Sequence, residues 1–211
     1  MRNDLTDITF IVDHSGSMNA RRYDADGGIN AFIADQKKAE GDAIFTLVQF
    51  DAEYEFVHKG VKIEDVPPYT LWPRGMTALL DAVGRAVVET GVRLNDMPES
   101  ERPGNVVIVI VTDGRENASH EFNRVQVRDM ITHQQEKYNW HFTYLGANAS
   151  TFADSASIGI SKGATLQYDP NRKVQDVFAT MSASVSGSRC ASASGLDASV
   201  AYTESDRKNV L

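Results

Sequence analysis

Cysteine is almost missing from this chain: its 211 residues include one, Cys190, so no internal disulfide can form and stability has to come from a packed core. A single domain is expected at this length, since single cores commonly span about 100 to 200 residues. Long apolar runs are missing too. None approaches the roughly 20 residues that cross a bilayer, and the first, Ile8 to Val12, follows acidic residues and is too short for the core of a signal peptide. A soluble, cytoplasmic chain with no membrane partner is expected.

A basic stripe is likewise lacking. Twenty-one Lys and Arg stand against twenty-nine Asp and Glu, giving a net charge of -8, and the cations are scattered. That excludes a broad electrostatic footprint for nucleic acid and suits a cation as ligand better than a polyanion. The five histidines, at 14, 58, 120, 133 and 141, show no paired spacing of the kind that holds zinc or copper. G-x-x-x-x-G-K-[ST] does not occur, which removes the phosphate-cradling loop, and "HSGSM" lacks the glycine frame of a nucleophile elbow.

What is present is a set of short apolar blocks. "DITFIVD" (Asp7 to Asp13), "AIFTLVQF" (Ala43 to Phe50) and "NVVIVIVTDG" (Asn105 to Gly114) read as buried strands, the last one central because it is apolar without alternation. "YEFVHKGVKI" (Tyr54 to Ile63) follows the second after only "DAE", a gap that permits a hairpin and no crossover helix. Helical spacing marks residues 28–39, 77–94 and 123–136, with a short helix near 151–157 and a longer one opening after "DPN", where Asp169 or Asn171 caps it and Pro170 suits its start. "WHFTYLGA" (Trp140 to Ala147) and "ATLQY" (Ala164 to Tyr168) supply further strands. This order predicts a three-layer, doubly wound α/β sandwich with one antiparallel strand. Residues 1–185 form the domain in this reading. Residues 186–211 are a Ser/Ala-rich tail, expected to be weakly ordered or packed on a partner.

In such sheets ligands meet the carboxyl ends of the strands. Asp13, Ser15 and Ser17 collect there after the first strand, Thr77 opens the helix after "PRGM", and Asp113 ends the central strand. Two carboxylates and three hydroxyls form an oxygen-only set, which suits a hard divalent cation, Mg²⁺ before Mn²⁺ or Ca²⁺.

Three separated motifs carry a resemblance. "DHSGSM" matches the D-x-S-x-S signature of von Willebrand factor type A domains, and "RGMTALLDAV" and "VIVTDG" look like that family's second and third metal loops. The likeness runs from about Leu5 to about Gln167, and "FTYLGANAS" is similar to small bacterial and phage-like members. Met76 departs from it, standing where glycine is more usual. The resemblance implies a Rossmann-like fold with a mostly parallel six-stranded sheet, order 3-2-1-4-5-6, strand 3 antiparallel. It implies a metal-ion-dependent adhesion site at Asp13, Ser15, Ser17, Thr77 and Asp113, and a partner protein whose exposed Asp or Glu completes the metal shell.

The function expected is therefore a non-enzymatic interaction module, alone or within an oligomer or larger complex. Trp72, Arg74, Arg115 and His14 are the side chains expected to meet the partner, although Trp72 also suits anchoring of a proline-rich loop and the arginines also suit offsetting the site aspartates. Two rivals stay open: a Mg²⁺-dependent hydrolase or phosphoryl-transfer enzyme, and a structural protein with a vestigial site. The first is weakened because Ser15, not an acid, stands two positions after Asp13.

Overall fold

The two richest Val/Ile runs become neighbours at the centre of the sheet. β1 (Arg2–Asp13) and β4 (Pro103–Thr112) lie parallel, with Ile8 opposite Val107 and Val12 opposite Val111. Continuous apolar sequence is needed because both faces are covered: Ile8, Phe10, Val12, Val107, Val109 and Val111 enter one core, and Ile11, Val106, Ile108 and Ile110 enter the other. The computed structural model describes residues 1–147, 149–168 and 174–210. β2 (Asp42–Phe50), β3 (Tyr54–Lys62), β5 (His141–Gly146) and β6 (Thr165–Gln167) complete one sheet in the order β3-β2-β1-β4-β5-β6. The β2–β3 hairpin is antiparallel and every other pair is parallel, as the three-residue "DAE" gap requires.

Helices cover both faces of this Rossmann-like sandwich. α1 (Arg22–Gln36) and α5 (Val174–Ala193) pack on the Phe10 side, and α2 (Leu79–Asn95) and α3 (Arg124–Tyr138) on the Ile11 side. α1 begins six residues before the expected start at Gly28, after a 3-10 segment over Gly16–Arg21. Its first turn carries Arg22, Tyr23 and Asp24, which have no apolar period to announce a helix. Gly28 is required here because a Cβ would enter the Phe178 ring of α5. α3 starts where Asn123 and Gln126 form a reciprocal capping box and ends at Asn139 in the left-handed region. α4 (Thr151–Ser157) is a short helix before β6. The cap assigned to Asp169 or Asn171, with Pro170, lies outside the described residues.

The C-terminal segment differs from the expected tail. α5 does not stop near Ser184 but runs to Ala193, and the 185/186 boundary falls inside it. Its small residues let it approach α1 closely: Gln36 Nε2 donates to the Ser182 carbonyl at 3.1 Å, and Arg189 donates to the carbonyls of Gln36 (2.6 Å) and Gly41 (2.7 Å). Beyond it Val200, Tyr202 and, in α6 (Glu204–Val210), Val210 are buried in this chain's own core. The Tyr202 hydroxyl bonds the Thr143 hydroxyl at 2.6 Å. Ser/Ala richness hid this because three widely spaced apolar residues do the anchoring. Among the described residues, no helix is long and apolar enough to cross a membrane.

Candidate metal centre

Three loops at the carboxyl edge of the sheet are cross-tied through their backbones. After β1, the His14 N–H continues the ladder to the Phe50 carbonyl at 2.9 Å, and the Gly16 N–H donates to the Gly75 carbonyl at 3.2 Å. Buried Met18 pins the 3-10 segment that follows. The second loop answers with the Arg74 N–H on the His14 carbonyl at 2.7 Å and the Ala78 N–H on the Asp51 carbonyl at 2.7 Å. Gly75 has φ +68° and lies so close to Asp51 that a Cβ would sit 2.7 Å from its Oδ2, so glycine is required on both counts. The Asn117 side chain accepts from the Thr77 N–H at 2.9 Å, and the Asn117 N–H donates to the Thr77 carbonyl at 3.0 Å, locking the third loop to the second.

This scaffold brings all five oxygen-bearing side chains to one place. Asp13 Oδ1 accepts from the Ser15 N–H at 2.7 Å, and Asp13 Oδ2 accepts from the Thr112 hydroxyl at 2.5 Å. Ser15 Oγ bonds Ser17 Oγ at 2.9 Å, and Ser17 Oγ donates to Asp113 Oδ1 at 2.8 Å. Thr77 joins them across Gly114, where a Cβ would sit 2.7 Å from both Asp13 Oδ2 and Thr77 Oγ1. Any side chain there would fill the space between the two oxygens.

The electrostatics favour a cation. Burial pushes the Asp13 carboxyl up from its ordinary value, and the neighbouring Asp113 adds to this, while hydrogen bonds from Thr112 and Ser15 pull it back. A cation placed against it would reverse the penalty. Arg21 Nε stands 3.8 Å from Asp113 Oδ2 and offsets part of the negative charge. Among the described residues, no group of three or more His, Cys, Asp or Glu side chains converges as a metal cluster. A set of two carboxylates and three hydroxyls does not need one, and it fits a hard, oxygen-seeking ion better than zinc-type chemistry.

Two of the expected partner contacts lie against Asp51. His14 is buried, with Nδ1 3.8 Å from Asp51 Oδ2 and no hydrogen-bond partner, because its N–H extends the β1–β2 ladder and tucks the ring beneath the loops. Burial depresses its pKa, with Asp51 opposing. The guanidinium of Arg74 is taken by three carboxylates of the β2–β3 turn and hairpin, Asp51 at 2.9 Å, Glu55 at 2.6 Å and Glu53 at 3.1 Å. Arg115 is exposed beside the third loop, and Trp72 is exposed beside the second. Asp51 proves to be a buried tie between loops. Thr112, Asn117 and Glu116 were not singled out from sequence. Glu116 accepts from the N–H groups of Leu80, Ala118 and Ser119 and so caps the start of α2. Their one sequence signal is the polar run flanking Asp113.

No family model matches the sequence, and no curated protein matches it either. Solved structures do match in shape. Proximal thread matrix protein 1 from the mussel byssus, with a zinc-occupied metal-ion-dependent adhesion site, aligns at TM-score 0.56 and 18% identity over 89% of this chain and 46% of its own. The pilus adhesin SpaC from Lactobacillus rhamnosus GG aligns at TM-score 0.62 and 13% identity over 86% and 30%. A von Willebrand factor type A structure from Catenulispora acidiphila aligns at TM-score 0.55 and 15% identity over 86% and 42%. The chain thus spans less than half the length of each of these proteins. What they share with it is the fold, a sandwich of helices around a mostly parallel six-stranded sheet, similar to that of the von Willebrand factor type A structure.

Proposed function

We propose that this chain is a metal-dependent protein-interaction module, in which Asp13, Ser15, Ser17, Thr77 and Asp113 hold one divalent cation, Mg²⁺ first and Mn²⁺ or Ca²⁺ as alternatives. When bound, the cation would supply positive charge at the loop tips and a coordination shell that these five groups do not fill, so an exposed Asp or Glu of a partner protein completes it. The observation that carries this reading is the Gly114 cradle, with oxygens of Asp13 and Thr77 on the same side of a residue that has no side chain. Thr112 and the Ser15 N–H hold the Asp13 carboxylate in one orientation, and Ser17 ties Asp113 to the first loop.

The role is non-enzymatic in this reading. Ser15 stands where a phosphoryl-transfer site would carry its second acid, and its hydroxyl is engaged by Ser17 at 2.9 Å. The likeness to a pilus adhesin and to a matrix protein with an occupied adhesion site supports the same choice. Immobilised protein exposed to a cell lysate in Mg²⁺ should retain proteins that are released by a chelator and not retained by Asp13→Ala, and it should not hydrolyse p-nitrophenyl phosphate. Retention indifferent to chelator and substitution, or metal-dependent turnover of the ester, would overturn the proposal.

A further inference from the structure

Three arginines, Arg21, Arg22 and Arg74, stand around the first two loops, and two of them are occupied. Arg21 faces Asp113 at 3.8 Å, and Arg74 is held by Asp51, Glu53 and Glu55. Arg22 has no ion pair among the described residues. Its Cζ lies 3.6 Å from the centre of the Trp72 ring and 5.6 Å from that of Tyr23, so the guanidinium is held beside two aromatic rings. Its Nε is buried without a hydrogen-bond partner. Trp72 is 66% exposed and Tyr23 82% exposed, far more than anchoring a loop requires. Arg22 is also the first residue of α1, where the positive end of the helix dipole disfavours a cation, with Asp24 the one acid in that turn. An unpaired guanidinium at that position, fixed by exposed aromatics, is electrostatically incomplete.

Its place relative to the metal centre follows from the chain. Arg22 directly succeeds Arg21, which reaches Asp113, and Trp72 lies two residues before Arg74, whose N–H donates to the His14 carbonyl. The platform therefore sits on the rim between the first and second loops. We infer that Arg22, Trp72 and Tyr23 form a second contact point that selects a partner segment carrying two acidic residues, one for the metal centre and one for the Arg22 guanidinium. Trp72 and Tyr23 hold that guanidinium in place, so little side-chain freedom is lost when a carboxylate pairs with it. Exposed Trp, Tyr and Arg together are also the residue types that dominate binding energy at protein interfaces. This inference rests on the metal-dependent reading above.

The test is an NMR titration of the Mg²⁺-loaded chain with capped synthetic peptides, one containing a single Glu and others with a second Glu two, three or four residues away. At least one two-acid peptide should bind roughly tenfold tighter than the single-acid peptide. Arg22→Gln should remove that advantage and leave single-acid binding unchanged, and Trp72→Ala should reduce it. Equal affinity of all peptides for the wild type, or an advantage that survives Arg22→Gln, overturns the inference while leaving the metal-dependent reading standing. Absence of any Mg²⁺-dependent peptide binding sinks both.

Discussion

The Thr112 hydroxyl donates to Asp13 Oδ2 at 2.5 Å, so the last residue of β4 orients the carboxylate that ends β1. Asp13 is fully buried and its carboxyl is pushed up by that burial, so this bond does much to keep it ionised. Thr112→Val keeps the shape and removes the donor. About tenfold weaker Mg²⁺ affinity is expected, since a hydrogen bond to a charged group is worth about 1.5 kcal/mol or more. Calorimetric titration of the variant beside the wild type checks it.

Asp7 and Arg93 join β1 to α2 through a two-pronged ion pair, with Oδ1 accepting from Nη2 at 2.9 Å and the carboxylate fully buried. Arg93→Ala would strand that carboxylate and should cost about 3 to 5 kcal/mol. Asp7→Leu combined with Arg93→Met should recover most of the loss, because the pair's desolvation cost is removed with the charges. Urea unfolding of the single and double variants separates the two outcomes.

Much of this architecture was legible in the sequence because β1 and β4 are buried on both faces and must be apolar without interruption. The "DAE" gap was equally plain: three residues cannot cross a sheet, so β3 had to turn back on β2. Asp13 and Asp113 stood out because each ends an apolar run. The start of α1 was not legible, since Arg22, Tyr23 and Asp24 carry no apolar period. Nor was the fate of His14, which is polar by type yet buried by backbone pairing with Phe50. The C-terminal segment misled for the opposite reason: serines and alanines read as loose chain, but they allow α5 to approach α1, and Arg189 fixes that contact through backbone carbonyls that no sequence pattern displays.

Residues 194–210 should behave as part of the domain. Tyr202→Ala is expected to cost about 3 to 5 kcal/mol, as for other buried aromatics cut to alanine. Tyr202→Phe, which removes the bond to Thr143 alone, should cost about 1 kcal/mol. Thermal melts of the two variants provide the comparison. An unchanged melting temperature in Tyr202→Ala would show that the segment is not held on the core.

Acid sensitivity should have a contribution from His141. Burial depresses its pKa below the ordinary value, Asp197 opposes weakly, and Nε2 has no hydrogen-bond partner. The unfolded chain therefore takes up this proton at a higher pH than the native one, so stability is lost as pH falls through the ordinary histidine value toward the depressed one. His141→Gln should flatten the stability curve across that interval relative to wild type. Equal slopes in paired urea titrations would contradict the assignment.

In the proposed function Asp13, Ser15, Ser17, Thr77 and Asp113 form one cation site. It is tested most directly by calorimetric titration of Mg²⁺, Mn²⁺ and Ca²⁺ into the wild type, Asp13→Ala and Thr77→Ala, with far-UV circular dichroism verifying each fold. One saturable site in the wild type, abolished by Asp13→Ala and strongly weakened by Thr77→Ala, is the predicted result. No binding by the wild type, or the same binding in all three proteins, would contradict it.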